Sequence, residues 1–194
     1  MELSPSVVPD AAGLKALAHP VRLRMLGLLR SDGPATATSL AARLGLNSGA
    51  TSYHLRQLAD HGFIVDDPER GNGRERWWAA AHRSTRTSSD SLATRDAAGS
   101  PDREAHEAYD QAIALLYADQ LRSAAEERLS LPEEWLRTTT MSDWHLRLSP
   151  ARARALRDAI IAVVEDAVED EPDDEAAGTY VIQLQTFPRP GSIA

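Results

Sequence analysis

Residues 38–64 read TSLAARLGLNSGATSYHLRQLADHGFI, and few folds accommodate that order. A short apolar-periodic stretch, SLAARLG at 39–45, ends on a glycine of the kind that closes helices, with Thr38 standing where an N-cap is expected. A second helix starts near Asn47 or Ser48, and Thr51, Leu55 and Leu58 recur through it at helical spacing as a buried seam. Its leading turn is small and polar. A helix that only filled a core would carry larger apolar residues there. Ser48, Gly49, Ala50 and Ser52 keep the tip slim, and the serines donate or accept hydrogen bonds; Tyr53 and Arg56, off the seam, reach further toward a base edge or a phosphate. This is the pattern of a helix-turn-helix, because a major groove about 12 Å wide admits one helix whose leading residues approach the bases closely.

The flanking residues extend the pattern. Leu14–Ala18 predicts a short helix interrupted at His19-Pro20, and VRLRMLGLLR (21–30) predicts a second, ended by SDGP. Beyond Gly62, FIVDD (63–67) and RERWWAA (74–80) read as strands on either side of PERGNG, whose glycines suit a hairpin tip. Trp77 and Trp78 are expected to anchor that hairpin in the core, and His19 to start a helix.

Taken together, LKALAHPVRLRMLGLLR, TSLAARLGLNSGATSYHLRQLADHGFI and the hairpin ending GRERWWAA resemble the winged helix-turn-helix of ArsR-type bacterial transcriptional regulators over roughly residues 14–82. The resemblance implies a homodimer that binds double-stranded operator DNA and represses transcription until an effector, a small molecule for example, releases it. It implies further that Ser48, Ser52, Tyr53 and Arg56 face the groove, with His54 packing or holding backbone phosphate. The hairpin 63–80 becomes the wing, with Arg70, Asn72, Arg74 and Arg76 as candidates for backbone or minor-groove contact. Arg22 and Thr38 then sit where helix N-termini touch phosphates, although Arg22 serves equally as an intrachain partner. Glu69 and Glu75 share the hairpin with Arg74 and Arg76 and are candidates to neutralise one or both.

Charge supports a nucleic-acid partner despite the net −8 of the 194-residue chain. Residues 14–82 carry nine basic and six acidic side chains, so the remainder is strongly negative. Such asymmetry marks a basic working surface on an otherwise acidic, soluble molecule.

The expected architecture is mainly α with a small β component (α+β). It comprises a flexible tail (1–12), the winged domain (13–82), a linker (83–101) and a dimerisation or effector region (102–190). That last region should hold a long helix over 102–129, then a strand (138–149), a helix (149–168) and a strand (179–187). The absence of cysteine excludes disulfides, thiolate metal sites and cysteine nucleophiles. With no signal-peptide pattern and no apolar run long enough to span a bilayer, a cytoplasmic location away from membranes is expected. No metal or cofactor is expected: Asp102, His106 and Asp110 share a helix face, but no second His/carboxylate pair follows, and the eight carboxylates of 165–175 lack the spacing of a calcium loop. No catalytic motif is found, so the chain is not expected to be an enzyme. The alternatives are a winged module that binds protein, or a DNA-tethered enzyme with its chemistry in the C-terminal unit.

Overall fold

Asp10 opens the first helix, α1 (Ala11–Leu17), by accepting a hydrogen bond from the Gly13 amide at 2.8 Å. His19 caps the next, α2 (Pro20–Ser31), accepting the Val21 amide at its ring Nδ1, while Pro20 occupies a first-turn position whose missing N–H costs nothing. Helix α2 buries Leu23, Met25, Leu26 and Leu29. A two-residue strand, β2 (Ala35–Thr36), leads into α3 (Ala37–Leu44), which Gly45 terminates at φ 65°, a left-handed conformation that glycine adopts without a Cβ penalty. Asn47 caps α4 (Ser48–Asp60), and Thr51, Leu55 and Leu58 are its buried residues, as the spacing predicts.

The computed structural model describes residues 4–70, 75–87, 101–171 and 174–192. They divide into two compact units, 1–124 and 125–194. In the first, β3 (Ile64–Asp66) and β4 (Trp77–Ala80) form the wing, and β4 is the centre of an antiparallel sheet in the order β2-β4-β3. The register pairs Ile64 with Ala80 and Thr36 with Trp77, so the hairpin is tied to the start of α3. Trp78 is buried, as expected, and Trp77 half-buried. Phe63, Ile64 and Trp78 join the helices around a single hydrophobic cluster.

Two findings differ from expectation near the ends of this domain. Residues 4–7, expected within a loose tail, form β1 (Ser4–Val7), which pairs in parallel with β5 (His82–Thr85). Strand β5 thus carries ordered structure into the segment expected as linker. Arg30 secures it: this half-buried guanidinium donates to the His82 carbonyl at 3.0 Å and the Thr85 hydroxyl at 2.9 Å, and desolvation lowers its pKa to about 10. The rest of the expected linker, 88–100, lies outside the described residues. Helix α5 (Pro101–Glu127) packs Ala105, His106 and Tyr109 into buried positions.

The second unit contains the 3-10 turn Arg128–Ser130, α6 (Glu133–Leu136) and α7 (Pro150–Glu165). Ser149 caps α7 and Pro150 begins it, matching the helix start read from the sequence. The Tyr180 hydroxyl donates to the Thr138 carbonyl at 2.6 Å, and its ring stacks 6.5 Å from that of Trp135. The strands expected over 138–149 and 179–187 are not formed. Alternating side chains favour a strand, but only an inter-strand hydrogen-bond ladder completes one. The fold is α+β, mostly helical, with a winged helix-turn-helix at its N-terminal end.

Candidate nucleic-acid interface

Helix α4 stands with its seam inward and its leading turn outward. Ser48, Gly49 and Tyr53 are exposed, Ala50 and Ser52 half-buried, and the Asn47 side chain folds back to accept the Ala50 amide at 2.8 Å. Gly49, Tyr53 and Arg56 lie at i, i+4 and i+7, one stripe opposite Thr51, Leu55 and Leu58. Arg56 is exposed, and its Nε donates to the Ser52 carbonyl at 3.2 Å, which lays the guanidinium along the helix surface.

Beside this stripe is a cleft of about 330 Å³ lined by Thr36, Ala37, Thr38, Ser52, Arg56, Glu75, Arg76 and Trp78. It brings together four of the residues singled out from the sequence: Thr38, Ser52, Arg56 and Arg76. The N-cap of α3 is Thr36 rather than Thr38. Its hydroxyl accepts the Ser39 amide while the Ser39 hydroxyl accepts the Thr36 amide, a reciprocal box that needs threonine three residues before serine and so selects position 36. Thr38 is thereby freed from capping and lies exposed in the first turn, where helix amides and their dipole favour an anion. The serine at 39 was the available signal for this register.

Arg76 is held from two sides, by an ion pair to Asp66 at 2.8 Å and by the Trp78 ring, whose centroid lies 4.1 Å from the guanidinium carbon. Its carboxylate partner is Asp66, across the hairpin, rather than Glu69 or Glu75. Arg70 pairs with Asp67 at 3.3 Å. Both arginines are exposed, so they exchange partners at little cost. Asn72 and Arg74 lie outside the described residues.

Arg22 and His54 sit elsewhere on the domain. The Arg22 guanidinium donates to the Ala16 carbonyl and, at 3.4 Å, to that of Lys15, closing the C-terminal end of α1. The His54 ring lies 4.5 Å from that of His19 and 5.4 Å from that of Tyr53. Burial, then the charges of His19 and Arg22, hold His54 below the usual histidine range, and burial with Arg22 does the same to His19. The two rings therefore favour their neutral forms, joining the start of α2 to the middle of α4.

Residues 17–66 match the family described as "Helix-turn-helix domain". The chain is 40% identical over 63 residues to the HTH-type transcriptional regulator YgaV of Escherichia coli (strain K12), covering 32% of this chain and 64% of that protein. It is 44% identical over 57 residues to the HTH-type transcriptional regulator NmtR of Mycobacterium tuberculosis (strain ATCC 25618 / H37Rv), covering 29% of this chain and 47% of that protein. Residues 17–66 thus form a helix-turn-helix domain similar to those of these two regulators, which supports the ArsR-type resemblance. The chain thus spans 47–64% of the length of these relatives. Within this domain, α3 and α4 are the two helices of the motif and β3–β4 is the wing. Among the described residues no helix is long and apolar enough to cross a membrane.

Proposed function

We propose that the chain is a cytoplasmic transcriptional regulator, rather than an enzyme, that binds operator DNA as a homodimer and represses until an effector releases it. Helix α4 enters the major groove by its slim tip, with Gly49, Ser52, Tyr53 and Arg56 at the base edges. The cleft between α3, α4 and the wing takes a backbone phosphate against the first amides of α3, with Thr38 and Arg76 beside it. Arg70 and, from the sequence, Asn72 and Arg74 extend the wing's contact to the backbone or minor groove. The observation that carries this reading is the exposure of the α4 leading turn beside a cleft lined by hydroxyls and two arginines. Helix α5 supports the dimer: Leu115 and Leu121 remain exposed on it while its other face packs on the domain. Two recognition helices about 34 Å apart would read successive major grooves of an inverted repeat.

The experiment is footprinting on the chain's own promoter, followed by a salt titration of binding to the protected fragment. DNA recognition of this kind gives a log–log slope near −0.9 for each neutralised phosphate, hence roughly −4 or steeper for a dimer with two or more phosphates per half-site. A salt-independent association, or protection of no defined site, would overturn it.

A further inference from the structure

The cleft between α3, α4 and the wing contains one charge that the DNA contacts proposed above do not use. Its lining includes the hydroxyl residues Thr36, Thr38 and Ser52, the cations Arg56 and Arg76, and the acid Glu75. Glu75 is exposed at the base of the wing, two residues before β4. Among the described residues no ion pair or hydrogen bond engages its carboxylate. The two cations of the lining are held elsewhere. Arg76 pairs with Asp66 at 2.8 Å and lies over the Trp78 ring, and Arg56 donates to the Ser52 carbonyl at 3.2 Å.

An acid here does not suit a DNA backbone. Phosphate oxygens only accept hydrogen bonds, and so does an ionised carboxylate, so the two repel with no proton to share. Hydroxyls and guanidiniums can donate to a phosphate; among the polar side chains of the lining, Glu75 is the one that cannot. It requires a donor. In the major groove duplex DNA offers two, cytosine N4 and adenine N6. Adenine sets its N7 acceptor beside N6, where it opposes a carboxylate, whereas cytosine sets a carbon beside N4. Guanine and thymine present acceptors. Glutamate is therefore matched to cytosine. Ser52 and Arg56 line the same cleft from α4, so a helix placed in the major groove brings Glu75 to the edge of that groove.

We propose that Glu75 is a specificity-determining residue whose carboxylate accepts the N4 amine of a cytosine at the edge of the α4 footprint. Cytosine there satisfies the charge. Guanine or thymine leaves it unpaired beside the phosphates, so Glu75 acts chiefly by weakening the wrong sites. This rests on the DNA-binding reading above and adds to it the identity of one base pair in each half-site.

Selection from a randomised duplex DNA library by the full-length parent, Glu75→Gln and Glu75→Ala tests this. The three proteins should melt alike, because Glu75 is exposed and makes no bond to the described residues. The parent should favour cytosine at one position of each half-site by roughly tenfold over guanine or thymine. Glu75→Ala should lose that preference and bind random DNA at least as tightly as the parent. Glu75→Gln should move the preference to adenine, whose N6 donor and N7 acceptor match the two ends of an amide. Inosine in place of the paired guanine removes only the minor-groove amine and should leave parental affinity unchanged. Identical base preferences in all three proteins, a parental preference for guanine or thymine at the position that Glu75→Ala alters, or a loss of affinity with inosine would overturn the role of Glu75 while leaving DNA recognition standing. A parent that selects no sequence and binds DNA without salt dependence would remove both.

Discussion

Gly49→Leu should separate folding from DNA binding. Gly49 is the second residue of α4 and exposed, and a Cβ built there meets only the Asn47 side-chain oxygen, at an ordinary 3.4 Å. Its backbone is not in the left-handed region, so leucine fits without strain. Glycine is about 0.8 kcal/mol worse than leucine in a helix interior and less so in a first turn, so the variant should melt no lower than the parent and up to about 4 °C higher. On DNA the sign reverses. The leucine would project from the same stripe as Tyr53 and Arg56, into the space where base edges must come. Lifting the helix by one side chain removes at least one well-placed base contact, about 1–3 kcal/mol, or roughly five- to 150-fold in affinity. Fluorescence anisotropy on the footprinted fragment at fixed salt, beside a thermal melt, measures both. A variant that melts normally and binds the operator with parental affinity would show that the α4 tip does not enter the groove.

Other substitutions probe the remaining assignments. Arg56→Ala should narrow the gap between operator and random DNA, whereas Arg76→Ala should weaken both alike; equal effects of the two changes on both DNAs would remove that division of roles. Thr36→Ala should cost about 1 kcal/mol by unmaking the α3 capping box, seen as a lower melting temperature that Thr36→Ser largely restores. Stability should also fall on acidification. His19 and His54 are both held below the usual histidine value in the folded chain, so the unfolded chain binds more protons below about pH 6.5, and stability present above that pH is lost as it falls toward the folded-state values. Denaturant midpoints measured from pH 7.5 to pH 5 should show this slope, and His54→Gln should flatten it.

Helix α4 was legible because its determinants are local. Asn47 caps it, Gly45 breaks the helix before it, and Thr51, Leu55 and Leu58 recur every three or four residues, so each signal acts within a turn of the place it decides. The start of α7 was legible for the same reason, from Ser149 and Pro150. The cap of α3 lies two residues before the expected Thr38 because Thr36 and Thr38 are both good caps in isolation; only the reciprocal bond with Ser39 distinguishes them. Arg76 pairs with Asp66 rather than with either candidate, Glu69 or Glu75, because the hairpin's register, rather than nearness in sequence, sets Asp66 beside it.

The sequence alone thus determined the helix order, the slim tip of α4, its inward seam and the basic balance of the winged domain, since periodicity, caps and charge act over a few residues. Tertiary structure decided what depends on distant segments meeting. It paired residues 4–7 with 82–85, tied Arg30 to the second of these strands, and gathered α3, α4 and the wing around one cleft. It also left 138–149 and 179–187 without a ladder, because alternation prepares a strand but only a neighbouring edge completes one.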